Sequence, residues 1–153
     1  MLGLLNSLLA AWYFRLGSTN AAVSHYQISD LPCPVFRETA TKDETAAGAA
    51  VAKQLKAGRP DAAFVELSSL LATAPFSPAV RDAVAATVDV IVGIEANRGE
   101  MTRADRSALS VSAQPYQDFL HRLFFGLAGF TDAEVAALRV RYEQMKKVKY
   151  PAS

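Results

Sequence analysis

Reactive side chains are scarce in this chain. His25 and His121 are the only histidines and Cys33 is the only cysteine. A hydrolytic triad needs a nucleophile, a base and an orienting acid within reach of one another, and no such set is suggested. The two histidines and Cys33 also lack the close pairing, C-x₂-C or H-x₃-H, with which metal sites begin. His121 stands between Leu120 and Arg122 in an apolar helical pattern, where a structural role is expected. The glycines occur singly, so neither a P-loop nor a dinucleotide-binding glycine pattern is present. No catalytic, cofactor-binding or metal-ligating residue is therefore assigned.

Polar groups are densest near the N-terminus instead. Arg15, Ser18, Thr19, Asn20, Ser24, His25 and Gln27 crowd into a short stretch between the apolar run ending at Leu16 and the segment Leu31-Pro32-Cys33-Pro34. Elsewhere Pro60-Asp61 followed by Glu66 starts like a nuclease proline–aspartate motif. Glu66 leads into Leu67 and Ser68, however, so the Glu-x-Lys that completes such a site is missing, and a helix start is the better reading.

The elements that must hold these residues are helical. Leu5, Leu8, Leu9, Trp12 and Leu16 recur at helical spacing, and Leu4, Ala11 and Phe14 make the other sides apolar too. A first helix over residues 2–16 follows, stopped by Gly17. Residues 25–28 have the aromatic and β-branched character of a short strand. The two prolines at 32 and 34 bar helix there. Beyond this point Thr41-Lys-Asp-Glu44 forms a capping box for a helix ending at Gly58. Pro60 opens a second helix that buries Phe64, Leu67, Leu70 and Leu71 and closes at Ala74-Pro75. Ser77-Pro78 starts a third, with Val80, Val84, Val88 and Ile91 on one face, ending near residues 97–99. Residues 102–112 read either as a short helix or as an ordered linker. Pro115 opens the next helix, with Tyr116, Leu120, Leu123 and Leu127 inward, and Gly129 ends it. Thr131-Asp-Ala-Glu134 caps a last helix burying Val135, Leu138, Tyr142 and Met145.

The expected fold is thus mainly α: a helical domain of about five to six helices with one short strand-like segment near residues 25–28. Residues 1–36 form an N-terminal helix, polar loop and Pro-rich segment, and residues 37–153 a helical region, together one domain. With 153 residues the chain can bury a real core. Sixteen basic and fifteen acidic residues leave a net charge of +1, which excludes a strongly basic nucleic-acid binder. A lone cysteine forms no internal disulfide and fits a reducing, cytoplasmic location. The apolar N-terminus lacks a basic n-region, is interrupted by Asn6-Ser7, and falls short of the roughly 20 residues needed to span a bilayer. No membrane partner is expected.

Certain motifs resemble those of a known family. Leu4-Leu5-Asn6-Ser7, then Trp12-Tyr13-Phe14-Arg15, a Ser/Thr/Asn loop and Leu31-Pro32-Cys33-Pro34 are similar to the C-terminal target-recognition region of N6-adenine DNA methyltransferases and type IIG restriction enzymes (TaqI-like specificity domains). Near the other end, Asp118 leading a helix to Phe124-Phe125-Gly126-Leu127, then Gly129-Phe130-Thr131-Asp132-Ala133-Glu134, resembles the family's terminal signature. The likeness covers residues 2–36 and 85–145. Leu8 stands where the family usually has lysine, and the glycine signature is split between Gly126 and Gly129.

The resemblance implies a DNA-recognition or accessory segment of a split or truncated adenine-specific methyltransferase in a restriction–modification system, non-catalytic alone. The family's Asn-Pro-Pro-aromatic motif is absent, since none of Asn6, Asn20 or Asn97 precedes proline. S-adenosylmethionine is therefore implied only for a missing catalytic part. The implied partners are double-stranded DNA and a methyltransferase catalytic polypeptide or other protein. On this reading Arg15, Ser18, Thr19, Asn20, Ser24, His25 and Gln27 face DNA, offering the short donors and acceptors that read phosphates and base edges. The competing reading is a turn whose side chains satisfy their own backbone. Arg139, Arg141, Lys146, Lys147 and Lys149 form either a basic patch or a solvated helix end that complements the helix dipole. The alternative from another class is a helical protein–protein interaction module with no DNA contact.

Overall fold

The structure is a computed structural model that describes Leu4, Ser7 and residues 9–11, 33–96 and 102–147. Its regular elements are helices: α1 (Lys42–Lys56), α2 (Pro60–Thr73), α3 (Pro78–Glu95), α4 (Arg103–Leu127) and α5 (Asp132–Lys147). Leu4 and residues 9–11 are helical as well, and the described residues contain no strand. The strand-like reading of residues 25–28 falls outside the described residues.

Local chemistry explains most of the boundaries. The Thr41 hydroxyl accepts from the Glu44 amide (3.2 Å) while the Glu44 carboxylate accepts from the Thr41 amide (3.2 Å), the reciprocal capping box that starts α1. Gly58 ends that helix at φ +75°, a left-handed conformation that suits glycine. Pro60 sits at the start of α2, where its missing N–H costs nothing. The Ser77 hydroxyl accepts from the Ala79 amide (3.3 Å) ahead of Pro78 in α3. Gly129 (φ +77°) closes α4, and the Thr131 and Glu134 side chains reproduce a capping box at the head of α5.

Two expectations need correction. Residues 102–112 and the helix expected to open at Pro115 are one helix, α4, which is capped by Thr102 accepting from the Asp105 amide (3.3 Å) and runs for 25 residues with Pro115 inside it. Proline there deprives the carbonyl four residues back of its donor, but residue 115 is exposed, so water can serve that carbonyl. Asp118 consequently lies in the interior of α4 rather than leading a helix. The helix α3 ends at Glu95, and the end expected near residues 97–99 lies outside the described residues.

The stretch expected to be a helix over residues 2–16 contains a bend at Ser7 between helical Leu4 and residues 9–11. Ser7 is buried at 2% exposure. Its hydroxyl donates to the Leu4 carbonyl (2.6 Å) and accepts from the Ala10 amide (3.3 Å), closing one turn and capping the next. Residues 12–16 lie outside the described residues.

The core lies where α1 packs on α2 and α3, with α4 across α2 and α3. Val51 and Leu55 from α1, Leu67 and Leu70 from α2, Val80 and Ala83 from α3, and Phe119, Leu120 and Leu123 from α4 fill it, joined by Leu4 and Ala10. The buried side of α3 runs through Ala79, Val80, Ala83 and Thr87, leaving Val84, Val88 and Ile91 half-buried at its edge. Thr87 satisfies its hydroxyl by donating to the Ala83 carbonyl (2.8 Å). Alpha-helices α1 and α3 approach closely at Gly48, where an added Cβ would lie 2.8 Å from the Ala79 Cβ. On α5, Val135, Leu138 and Tyr142 are half-buried rather than buried.

Candidate functional site

Arg15, Ser18, Thr19, Asn20, Ser24, His25 and Gln27 all lie outside the described residues. What the structure gives is the two segments that bound them. On one side, Leu4, Ser7 and Ala10 are buried, Leu4 and Ala10 within the common core. On the other, residues 33–41 form a non-helical strap leading into α1. The stretch 12–32 is therefore framed by two anchors on the same helical body.

The strap is held by a polar cluster that sequence inspection sees only in part. Phe36 packs against the core while neighbouring Val35 is 85% exposed. The Arg37 amide donates to the Phe76 carbonyl (2.8 Å), in the turn between α2 and α3. The Arg37 guanidinium donates to Glu44 Oε1 (2.7 Å). Glu44 Oε2 accepts from the Thr41 amide (3.2 Å) and from the hydroxyl of fully buried Ser77 (2.8 Å). Both carboxylate oxygens are thus engaged, and the Glu44 side chain is only 12% exposed. The Arg37 and Ser77 hydrogen bonds hold the carboxyl below its ordinary value, outweighing the opposing effect of burial. One residue joins the strap, the head of α1 and the head of α3.

A second polar group borders α4. Arg122 lies over the Phe64 ring, 3.7 Å from its centroid, and donates to Asp61 (3.2 Å), while Phe64 meets Phe119 edge-on at 5.9 Å. His121 Nδ1 faces the Gln117 carbonyl, which requires the Nδ1–H tautomer. Burial pushes the imidazole pKa down, against the raising influence of Asp118, and Arg139 lowers it further. This neutral, internally bonded histidine fits the structural role expected from the sequence. Arg139 is exposed and lies 3.9 Å from Asp118, while Arg141 is exposed as well. Lys149 lies outside the described residues.

Among the described residues, no group of three or more His, Cys, Asp or Glu side chains could hold a metal ion. A shallow groove of about 450 Å³ runs between α1 and α3, lined by Ala52, Lys56, Asp82, Ala86, Asp89 and Val90. No described helix is long and apolar enough to cross a membrane. The chain matches no protein-family model, no curated protein and no solved structure.

Proposed function

We propose that the chain is a non-catalytic DNA-recognition or accessory segment of a split or truncated adenine-specific DNA methyltransferase or restriction–modification enzyme. The observation that carries this reading is the sequence pattern at its two ends. Leu-Asn-Ser, an aromatic run with Arg15, a polar loop and Leu-Pro-Cys-Pro come in the order that the target-recognition regions have, and the Gly129 to Glu134 motif follows at the far end. The polar loop supplies the donors and acceptors for the duplex, double-stranded DNA is the ligand, and a catalytic polypeptide that binds S-adenosylmethionine is the partner. The helical body acts as the scaffold from which the loop is presented, and the chain works in the cytoplasm.

With a net charge of +1, affinity has to come from a few placed contacts rather than from a broad basic surface. Weak, salt-sensitive duplex binding by the chain alone is expected, tightening when a polypeptide carrying an Asn-Pro-Pro-aromatic motif is added. Replacing Arg15 and Asn20 together by alanine should weaken binding without lowering helix content and, if Arg15 meets a phosphate, reduce the salt slope by about 1. Undetectable binding at low salt, alone and with the catalytic polypeptide, overturns the reading. A stable complex with that polypeptide but no effect on DNA would favour the interaction-module alternative.

A further inference from the structure

The groove between α1 and α3 extends beyond its larger cavity. A second cavity of about 290 Å³, bordered by Thr45, Ala49 and Pro78, shares Ala52 and Asp82 with the first. Together they run from Thr45 to Lys56 on α1 and from Pro78 to Val90 on α3. The two helices therefore point the same way, and the groove is about 16 Å long at about 1.5 Å per residue. Its floor is shallow, because Gly48 lets α1 close up against Ala79, and its side chains are small: Ala49, Ala52 and Ala86. At one end Asp89 stands on the α3 side and Lys56 on the α1 side. A third helix can lie in such a groove when the face it presents is small too.

The chain itself carries a helix of that kind. On α5, Val135, Leu138 and Tyr142 are half-buried. The opposite face, Ala133, Ala136, Ala137, Val140 and Gln144, is exposed, with Val140 at 60%. From Ala133 to Gln144 this stripe is about 16 Å long, the length of the groove. It looks away from the body of its own chain and so cannot lie in its own groove. At about 3.6 residues per turn, Arg141 and Glu143 fall on opposite flanks of the stripe. With α5 running in the direction of α1 and α3, its right-handed turn puts Arg141 on the α3 side, level with Asp89, and Glu143 on the α1 side, level with Lys56. The reverse direction exchanges the flanks and turns Glu143 toward the acidic α3 side. Among the described residues, neither Asp89 nor Arg141 has an ion-pair partner within its own chain.

We propose that the chain associates with a second copy of itself, α5 of one molecule lying along the α1–α3 groove of the other. Val140 packs over the groove alanines, and Arg141 with Asp89 and Glu143 with Lys56 form the ion pairs at the edges. Helices draw most of their stability from packing, and this contact adds to what α5 has in its own chain. The proposal does not depend on the DNA-recognition reading.

Sedimentation velocity of the full chain over a concentration series tests it. The wild type should self-associate. Arg141→Asp and Asp89→Arg should each weaken association about tenfold, and the double variant, which restores opposite charges, should recover most of the loss. The contact joins two different faces, so Val140→Glu spoils only the helix and Ala49→Lys only the groove. Neither of these variants should self-associate, yet an equimolar mixture should form one-to-one pairs, because the intact α5 of the second fits the intact groove of the first. All four positions are exposed, so each variant should keep the wild-type helix content by circular dichroism. A wild-type chain that is monomeric at every concentration overturns the proposal. Association that survives both Val140→Glu and Arg141→Asp also overturns it, since the contact then lies on another face, and so does a mixture that stays monomeric.

Discussion

Gly48 offers the sharpest test of how the helical body is assembled. It lies inside α1, where glycine costs about 1 kcal/mol relative to alanine, so Gly48→Ala on an isolated surface helix should stabilise by that amount. The packing opposes this. An alanine Cβ would stand 2.8 Å from the Ala79 Cβ and 3.4 Å from the Ala79 Cα, and both sets of atoms are fixed to helix backbones. Relief requires α1 and α3 to move apart, a form of overpacking that costs roughly 1–3 kcal/mol. Because the clash is with backbone and Cβ rather than a flexible chain end, the upper half of that range applies. Subtracting the propensity gain leaves Gly48→Ala less stable by about 1–2 kcal/mol. The decisive arm is the same substitution in an Ala79→Gly background, where the obstructing methyl is gone. There Gly48→Ala should stabilise by about 1 kcal/mol, giving a coupling energy of about 2–3 kcal/mol. Urea denaturation followed by helical circular dichroism measures all four corners of the cycle. If Gly48→Ala shifts stability equally in both backgrounds, the close approach of α1 and α3 is wrong.

Two further outcomes follow from the same structure. Pro115→Ala restores a donor inside α4 at an exposed position; allowing for the stiffer unfolded chain that proline provides, it should stabilise by roughly 1–2 kcal/mol in the same denaturation assay, and a loss of stability would mean the proline is required for the path of the helix. Glu44, Glu134 and His121 all have lowered pKa values in the folded chain, so the unfolded chain binds more protons and stability falls with falling pH, beginning near pH 6.5 through His121 and steepening below about pH 4.5 through the two glutamates. Urea midpoints from pH 4 to 8 should show both steps, and His121→Gln should remove the upper one; a midpoint flat across pH 5–6.5 in the wild type contradicts the neutral, desolvated histidine.

Where helices begin and end was largely legible because those signals are local. Thr41 with Glu44, Pro60, Ser77-Pro78 and Thr131 with Glu134 each announce a start within four residues. Gly58 and Gly129 mark ends by their left-handed backbone. The errors arose where a local rule met a longer-range constraint. Pro115 is a good helix opener in isolation, but Thr102 had already capped the helix, and burial of Ala113, Phe119 and Leu123 on both sides of the proline keeps it continuous. Gly48 is one small residue in an alanine-rich run, and nothing in the sequence tells which helix presses against it. Glu44 read as a cap and nothing else, since its partner Ser77 lies two helix boundaries away. Phe119, Phe124 and Phe125 are buried although they lie off the stripe that the sequence spacing picks out. That stripe runs through Tyr116, Leu120, Leu123 and Leu127, and the wide apolar sector of α4 extends beyond it.

Residues 33–41 are held by a carboxylate bonded to an arginine and a buried hydroxyl as well as by an apolar contact, and the two kinds of contact differ in what they fix. The apolar contact of Phe36 is non-directional, whereas three directed hydrogen bonds to one carboxyl group set Arg37, Thr41 and Ser77 in one orientation about Glu44.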